Sequence, residues 1–117
     1  MGNASPEALD FADEVIGTNA DDASSVVVQA DGKILIAGST WNGASYDFAL
    51  VRLNANGSLD TSFDADGKRI LPIGTSRDEA RSVVLQDDGK ILIAGRAWNG
   101  LNYDFAIARL NADGSLD

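Results

Sequence analysis

The stretch Ala23–Asp60 reads ASSVVVQADGKILIAGSTWNGASYDFALVRLNANGSLD, and it returns at Ala80–Asp117 as ARSVVLQDDGKILIAGRAWNGLNYDFAIARLNADGSLD. At a shift of 57 residues, 28 of these 38 positions are identical. Most differences are mild, such as Val28 against Leu85 and Asn56 against Asp113; the sharpest are Ser39 against Arg96 and Ala44 against Leu101. Upstream the register persists more weakly, with Ile16-Gly17-Thr18 against Ile73-Gly74-Thr75 and Asp21-Asp22 against Asp78-Glu79. Before residue 14 the match is poor, and Met1-Gly2 has the look of an expression start. An internal repeat of this length decides architecture before any single residue does.

Within the repeat the periodicity is that of strands. Seven of the twelve glycines follow Asn or Asp: Gly32, Gly43, Gly57, Gly67, Gly89, Gly100 and Gly114. Such pairs between apolar runs are the strongest short-range hairpin signal. Ser25–Gln29 reads as a first strand, turned back by Asp31-Gly32. Lys33–Ser39 is a second, apolar on both faces and so expected to be covered on both sides. Trp41-Asn42-Gly43 connects it to a third, Tyr46–Leu53. A long polar connection, Asn54–Gly67, leads to a weak fourth strand, Lys68–Ile73, whose Pro72 suits an edge because it cannot donate to a ladder. The only helical signal is a faint one at Pro6–Val15.

Four short antiparallel strands per repeat, at a period of this size, point to the blade of a β-propeller. The expected fold class is therefore all-β, with two blades per chain: an N-terminal segment, 1–16, holding an outer strand; a first repeat, 17–73; and a second, 74–117, lacking its outer strand. A two-sheet sandwich fits worse, because the second and third strands do not alternate cleanly. Two blades cannot close a ring that typically takes four to eight. An isolated pair exposes two apolar faces, more than a soluble monomer tolerates. The expected partner is thus the chain itself, in a cyclic homo-oligomer with strand exchange: a trimer for six blades or a tetramer for eight.

Composition narrows the function classes. The 117 residues include 18 acidic and 9 basic side chains, no His and no Cys. Without Cys there is no disulfide framework or thiolate chemistry. Without His, the commonest general base and zinc ligand is missing, so no enzyme is expected. A net charge of −9 argues against nucleic acid as a partner, since binding it depends on neutralising phosphates. No apolar run reaches about 18 residues, so no membrane span is expected, and no signal peptide is recognisable.

The strings SVVVQADGKILIAG and YDFALVRLNANGSLDTSF, followed by Asp66-Gly67-Lys68, resemble the delta-60 repeat, a bacterial β-propeller family of uncertain function. The resemblance runs from about residue 16 to residue 117. It implies a propeller fold, often in secreted or surface-associated proteins, and carries no catalytic residues. Members usually hold many copies on one chain. Two such similar copies read as an excised or engineered fragment, or as a recent duplication.

Three constellations are candidates for chemistry. Asn54, Asn56 and Asp60, with their repeats Asn111, Asp113 and Asp117, resemble the second half of a calcium loop, so a bound calcium ion is one expectation. Arg52 and Arg109 stand where that loop's first Asp belongs, and turn formation alone explains the Asn and Asp residues. The second candidate is an aromatic face: Trp41, Asn42 and Tyr46 with Trp98, Asn99 and Tyr103, near the Asp21, Asp22, Arg77, Asp78 and Glu79 connections. Trp beside Asn and Asp is the composition of many sugar sites, so a glycan is the alternative expectation there; wedging of each Trp against the neighbouring blade is the favoured one. The third is Asp47 with Arg52 and Asp104 with Arg109, expected as ion pairs that fix blade register. The adjacent carboxylates Asp21/Asp22 and Asp78/Glu79 are expected in a solvated loop and not as an acid–base pair.

Overall fold

The computed structural model describes residues 21–74 and 76–117. Seven strands run in chain order: β1 (Asp21–Val28), β2 (Ile34–Trp41), β3 (Tyr46–Leu53), β4 (Lys68–Leu71), β5 (Asp78–Leu85), β6 (Ile91–Trp98) and β7 (Tyr103–Leu110). They form two antiparallel meanders, β1-β2-β3-β4 and β5-β6-β7. No helix occurs among the described residues. The outer strand expected to end at Ile16, and the faint helical signal at 6–15, lie outside them.

All seven glycines that follow Asn or Asp have positive φ, between 84° and 101°. The Asn or Asp before each of these glycines accepts from the amide two residues on, as Asp31 does from Lys33 and Asn42 from Ala44, Asn42 accepting from Ser45 as well. β4 stops at Leu71, two residues short of its expected end, because Pro72 supplies no N–H to extend the ladder.

One feature was not visible as a pattern. β1 and β5 each carry a bulge, between Ala23 and Ser25 and between Ala80 and Ser82. There the strand backbone presses onto a glycine of β2 or β6. A Cβ on Gly38 would sit 1.9 Å from the Asp22 carbonyl oxygen, and one on Gly95 2.0 Å from that of Glu79. The glycine of each KILIAG run is therefore required by close backbone approach.

The pairing register sorts side chains by face. Leu35, Ala37, Phe48, Leu50 and Leu71 share one face of the first sheet. They pack against Val83, Ile91, Ile93, Ala106, Ala108 and Leu110 of the second, with Phe63 from the β3–β4 connection in the same cluster. In repeat terms Ile91 and Ile93 match Ile34 and Ile36, not Leu35 and Ala37. The two blades therefore stack head to tail, each offering a different face.

The consequence shows on the outer side of the second blade. Phe105 is 98% exposed, whereas its counterpart Phe48 is 0% exposed; Ile107 is 68% exposed against 0% for Leu50. On the outer side of the first blade, Val26 is 59% exposed against 3% for Val83. Ala49, Val51 and Leu53, on that same face of the first blade, are buried.

Candidate functional site

The aromatic pairs follow from register. Trp41 stands opposite Tyr46 and Trp98 opposite Tyr103, at the end of each β2–β3-type hairpin. Cross-strand neighbours of this size meet edge to face, with ring centroids 5.2 Å and 5.1 Å apart. Both pairs line one cleft of about 440 Å³ between the blades, with Arg77 and Ser45. The Arg77 guanidinium, at the entry to the second blade, stacks over the Tyr46 ring of the first at 4.9 Å. Arg96 lies over Tyr103 at 3.8 Å. An adjoining cleft of about 530 Å³ shares Tyr46 and Arg77 and adds Asp22, Ser39, Glu79 and Arg81.

Asn42 and Asn99 are not available to a ligand in the way the sequence suggested. The Asn42 carbonyl oxygen accepts from the amides of Ala44 and Ser45, and its NH₂ donates to Asp47 at 3.0 Å. Asn99 repeats this with Leu101, Asn102 and Asp104. Both side chains are committed to shaping the turn that presents the Trp.

The carboxylates at the strand starts are also placed differently from expectation: all four belong to strands and not to a solvated loop. Asp78 is fully buried and accepts from the amides of Ile73 (2.9 Å) and Gly74 (3.0 Å), which fixes the connection into β5. Burial pushes its carboxyl up, the two amides pull the other way, and the charge of Asp47 adds to the rise. Asp21 accepts from the Thr40 hydroxyl at 2.6 Å. Glu79, pointing away from Asp78, takes guanidinium groups from Arg77, Arg96 and Arg81. Burial would raise the Glu79 carboxyl, but hydrogen bonds from Arg77 and Arg96 outweigh it and hold the group low.

The expected ion pairs are corrected. Arg52 pairs with Asp60 at 2.8 Å, not with Asp47, and Arg109 pairs with Asp117, not with Asp104. Positions 47 and 52 are an odd number apart on one strand, so they face opposite sides of the sheet. Arg52 does reach across the blades: it donates to the Ala112 carbonyl at 2.7 Å and covers the Phe63 ring at 4.7 Å.

The calcium-loop residues are likewise engaged elsewhere. Asp60 accepts from Arg52 and Ser62 and pairs with Lys33 at 3.1 Å. Burial opposes ionisation, yet the hydrogen bonds from Ser62, Lys33 and Arg52 hold its carboxyl well below the usual range. Asn54 accepts from Lys33, and Asn56 caps the Ser58 amide. In the second repeat Asn111 and Asp117 share Lys90, and Asp113 caps the Ser115 amide. Lys33 joins Asn54 to Asp60 and Lys90 joins Asn111 to Asp117, and no cluster of three or more His, Cys, Asp or Glu residues suited to a metal occurs among the described residues.

Two blade-like meanders stacked head to tail, with a shared cleft at their junction, define a propeller-type repeat protein. The family model of a β-propeller domain of unknown function, DUF5122, matches residues 29–63 and 86–117, and the chain belongs to that family. The comparison with curated proteins found no match.

Proposed function

We propose that the 117-residue chain is a structural propeller unit without catalytic activity, which assembles with copies of itself into a closed head-to-tail ring. The carrying observation is the contrast between Phe105 and Phe48, equivalent residues at opposite extremes of exposure. Phe48 is covered by the next blade of the same chain. The occupant best matched to Phe105 is the same thing, the first blade of a second copy, which presents Val26 and Val28 outward. Burying one such aromatic contributes about 1.5–3 kcal/mol. Among the described residues, β7 also lacks the neighbour that β4 gives β3. The 57-residue register aligns residues 11–14 with Lys68–Leu71, so the N-terminal segment of another copy is the proposed occupant of that edge. The test is a Phe105→Glu/Ile107→Glu variant compared with the unaltered chain by sedimentation. Loss of assembly with unchanged far-UV dichroism supports the reading; assembly that survives both charges removes it.

A second reading is sugar binding. It is favoured by one observation, that Trp41, Tyr46, Trp98 and Tyr103 line a single cleft with polar groups at its side. Binding across a glycan array that is lost in Trp41→Ala, with the oligomer intact, supports it. Silence across the array counts against it.

A further inference from the structure

We infer that the cleft between the two blades of one chain selects sugars that bear a carboxylate, such as uronic-acid oligosaccharides. This rests on the sugar-binding reading above and goes beyond it by naming the class. The argument begins with where the repeats differ. Their strand cores are nearly identical, yet the second repeat has Arg77, Arg81 and Arg96 where the first has Ala20, Ser24 and Ser39. Three of the nine basic residues in a chain of net charge −9 are thus concentrated at one end of one blade.

All three guanidinium groups meet one carboxylate. Arg96 reaches Glu79 at 3.0 Å and Arg81 at 3.5 Å, and Arg77 bonds the other oxygen. Asp22 lines the same cleft, so the lining holds two arginines, Arg77 and Arg81, against two carboxylates, and the third arginine, Arg96, joins it through Glu79. The arginine side chains remain 40–59% exposed. A guanidinium fork matches a carboxylate in two parallel hydrogen bonds. Beside it stand the flat faces that suit a pyranose ring, and Arg77 lines both compartments. A carboxylated sugar satisfies both at once, ring on a Trp and carboxylate on arginine, with Tyr46 and Tyr103 already under Arg77 and Arg96. A neutral sugar leaves the cationic part unused, and a bare anion leaves the aromatic part unused.

The test uses the intact chain and its own fluorescence, because its two tryptophans, Trp41 and Trp98, both line the cleft. The probes are a galacturonic-acid oligosaccharide, the corresponding galactose oligosaccharide, and sodium sulfate. The expected result is saturable change with the acidic oligosaccharide, at least tenfold weaker binding of the neutral one, and none with sulfate at matched ionic strength. Arg77→Ala/Arg81→Ala should weaken the acidic ligand at least tenfold while leaving the thermal midpoint within a few degrees. Arg81→Gln alone gives a milder variant if the double one misfolds. Equal binding of the two oligosaccharides overturns the acidic preference and leaves sugar binding standing. Response to sulfate alone marks a simple anion site and overturns the inference. No response to either oligosaccharide overturns both readings. The cleft lies within one chain, so the Phe105→Glu/Ile107→Glu variant should bind as the unaltered chain does, which separates this outcome from that of the ring.

Discussion

Arg52 donates from its Nη1 to the backbone carbonyl of Ala112 at 2.7 Å, tying the outer part of one blade to a turn of the next. The same guanidinium neutralises Asp60 at 2.8 Å, in a site where both side chains are below 10% exposed. Beside this contact, Asp64 donates its amide to the Asp113 carbonyl at 2.8 Å, and Phe63 fills the space below. Arg52→Met keeps the packing of the stem but leaves the buried Asp60 carboxylate short of one cation, with Lys33 and Ser62 as its remaining partners. The expected cost is about 3 kcal/mol, read as a lower urea midpoint. Adding Asp60→Asn should recover part of that loss, since the under-neutralised buried charge is then gone. No recovery in the double variant would mean that the bond to Ala112 matters more than the buried charge.

Acid should weaken the fold through Asp60. Its carboxyl is held below the ordinary value, which in the unfolded chain is about 4. A lowered folded value means stability that is present above about pH 4 and lost as pH falls further. Asp78 has the opposite sign: its carboxyl is raised, so its ionisation removes stability as pH climbs through the folded value. Urea midpoints measured from pH 7 down to pH 2 should fall on the acid side, and Asp60→Asn should flatten that limb. An equally steep limb in the variant would assign acid sensitivity to other carboxylates.

Gly38→Ala and Gly95→Ala should each destabilise by about 3 kcal/mol, because the new methyl meets a strand carbonyl at the bulge. Gly43→Ala and Gly100→Ala have nothing within 4 Å and suffer only from their positive φ, about 1 kcal/mol. Thermal midpoints of the four variants give the ranking. A mild effect at Gly38 would mean that the bulge relaxes.

A chelator should leave the thermal midpoint unchanged. Lys33 and Arg52 hold Asp60, and Lys90 and Arg109 hold Asp117, so the carboxylates already have their cations. A midpoint that rises with added calcium and falls with chelator would contradict this assignment.

Much of the fold was legible because strands and tight turns write themselves locally. Tyr46–Leu53 has the bounds read from its apolar run, and the Asn-Gly and Asp-Gly pairs mark turns with positive φ. What stayed hidden was relational. The bulge opposite Gly38 depends on where β1 lies against β2, which no run of residues states. Arg52 looked paired with Asp47 because both are charged in one apolar strand. The partner eight residues on, Asp60, lies on a connection whose path the sequence does not draw. The four aromatic rings were expected on one face, but the arginine cluster around Glu79 was not, because Arg77, Arg81 and Arg96 are scattered along the chain and meet only through register. A comparison of the repeats by charge at each mismatched position would have exposed it.

The most direct measurement is the mass of the unaltered chain in solution, by sedimentation equilibrium or light scattering across a range of concentrations. With Phe105 and Ile107 needing a cover, the expected species is a closed oligomer of three or four copies of the 12.2 kDa chain, with no larger aggregates. A monodisperse particle of 12.2 kDa at every concentration would contradict the ring.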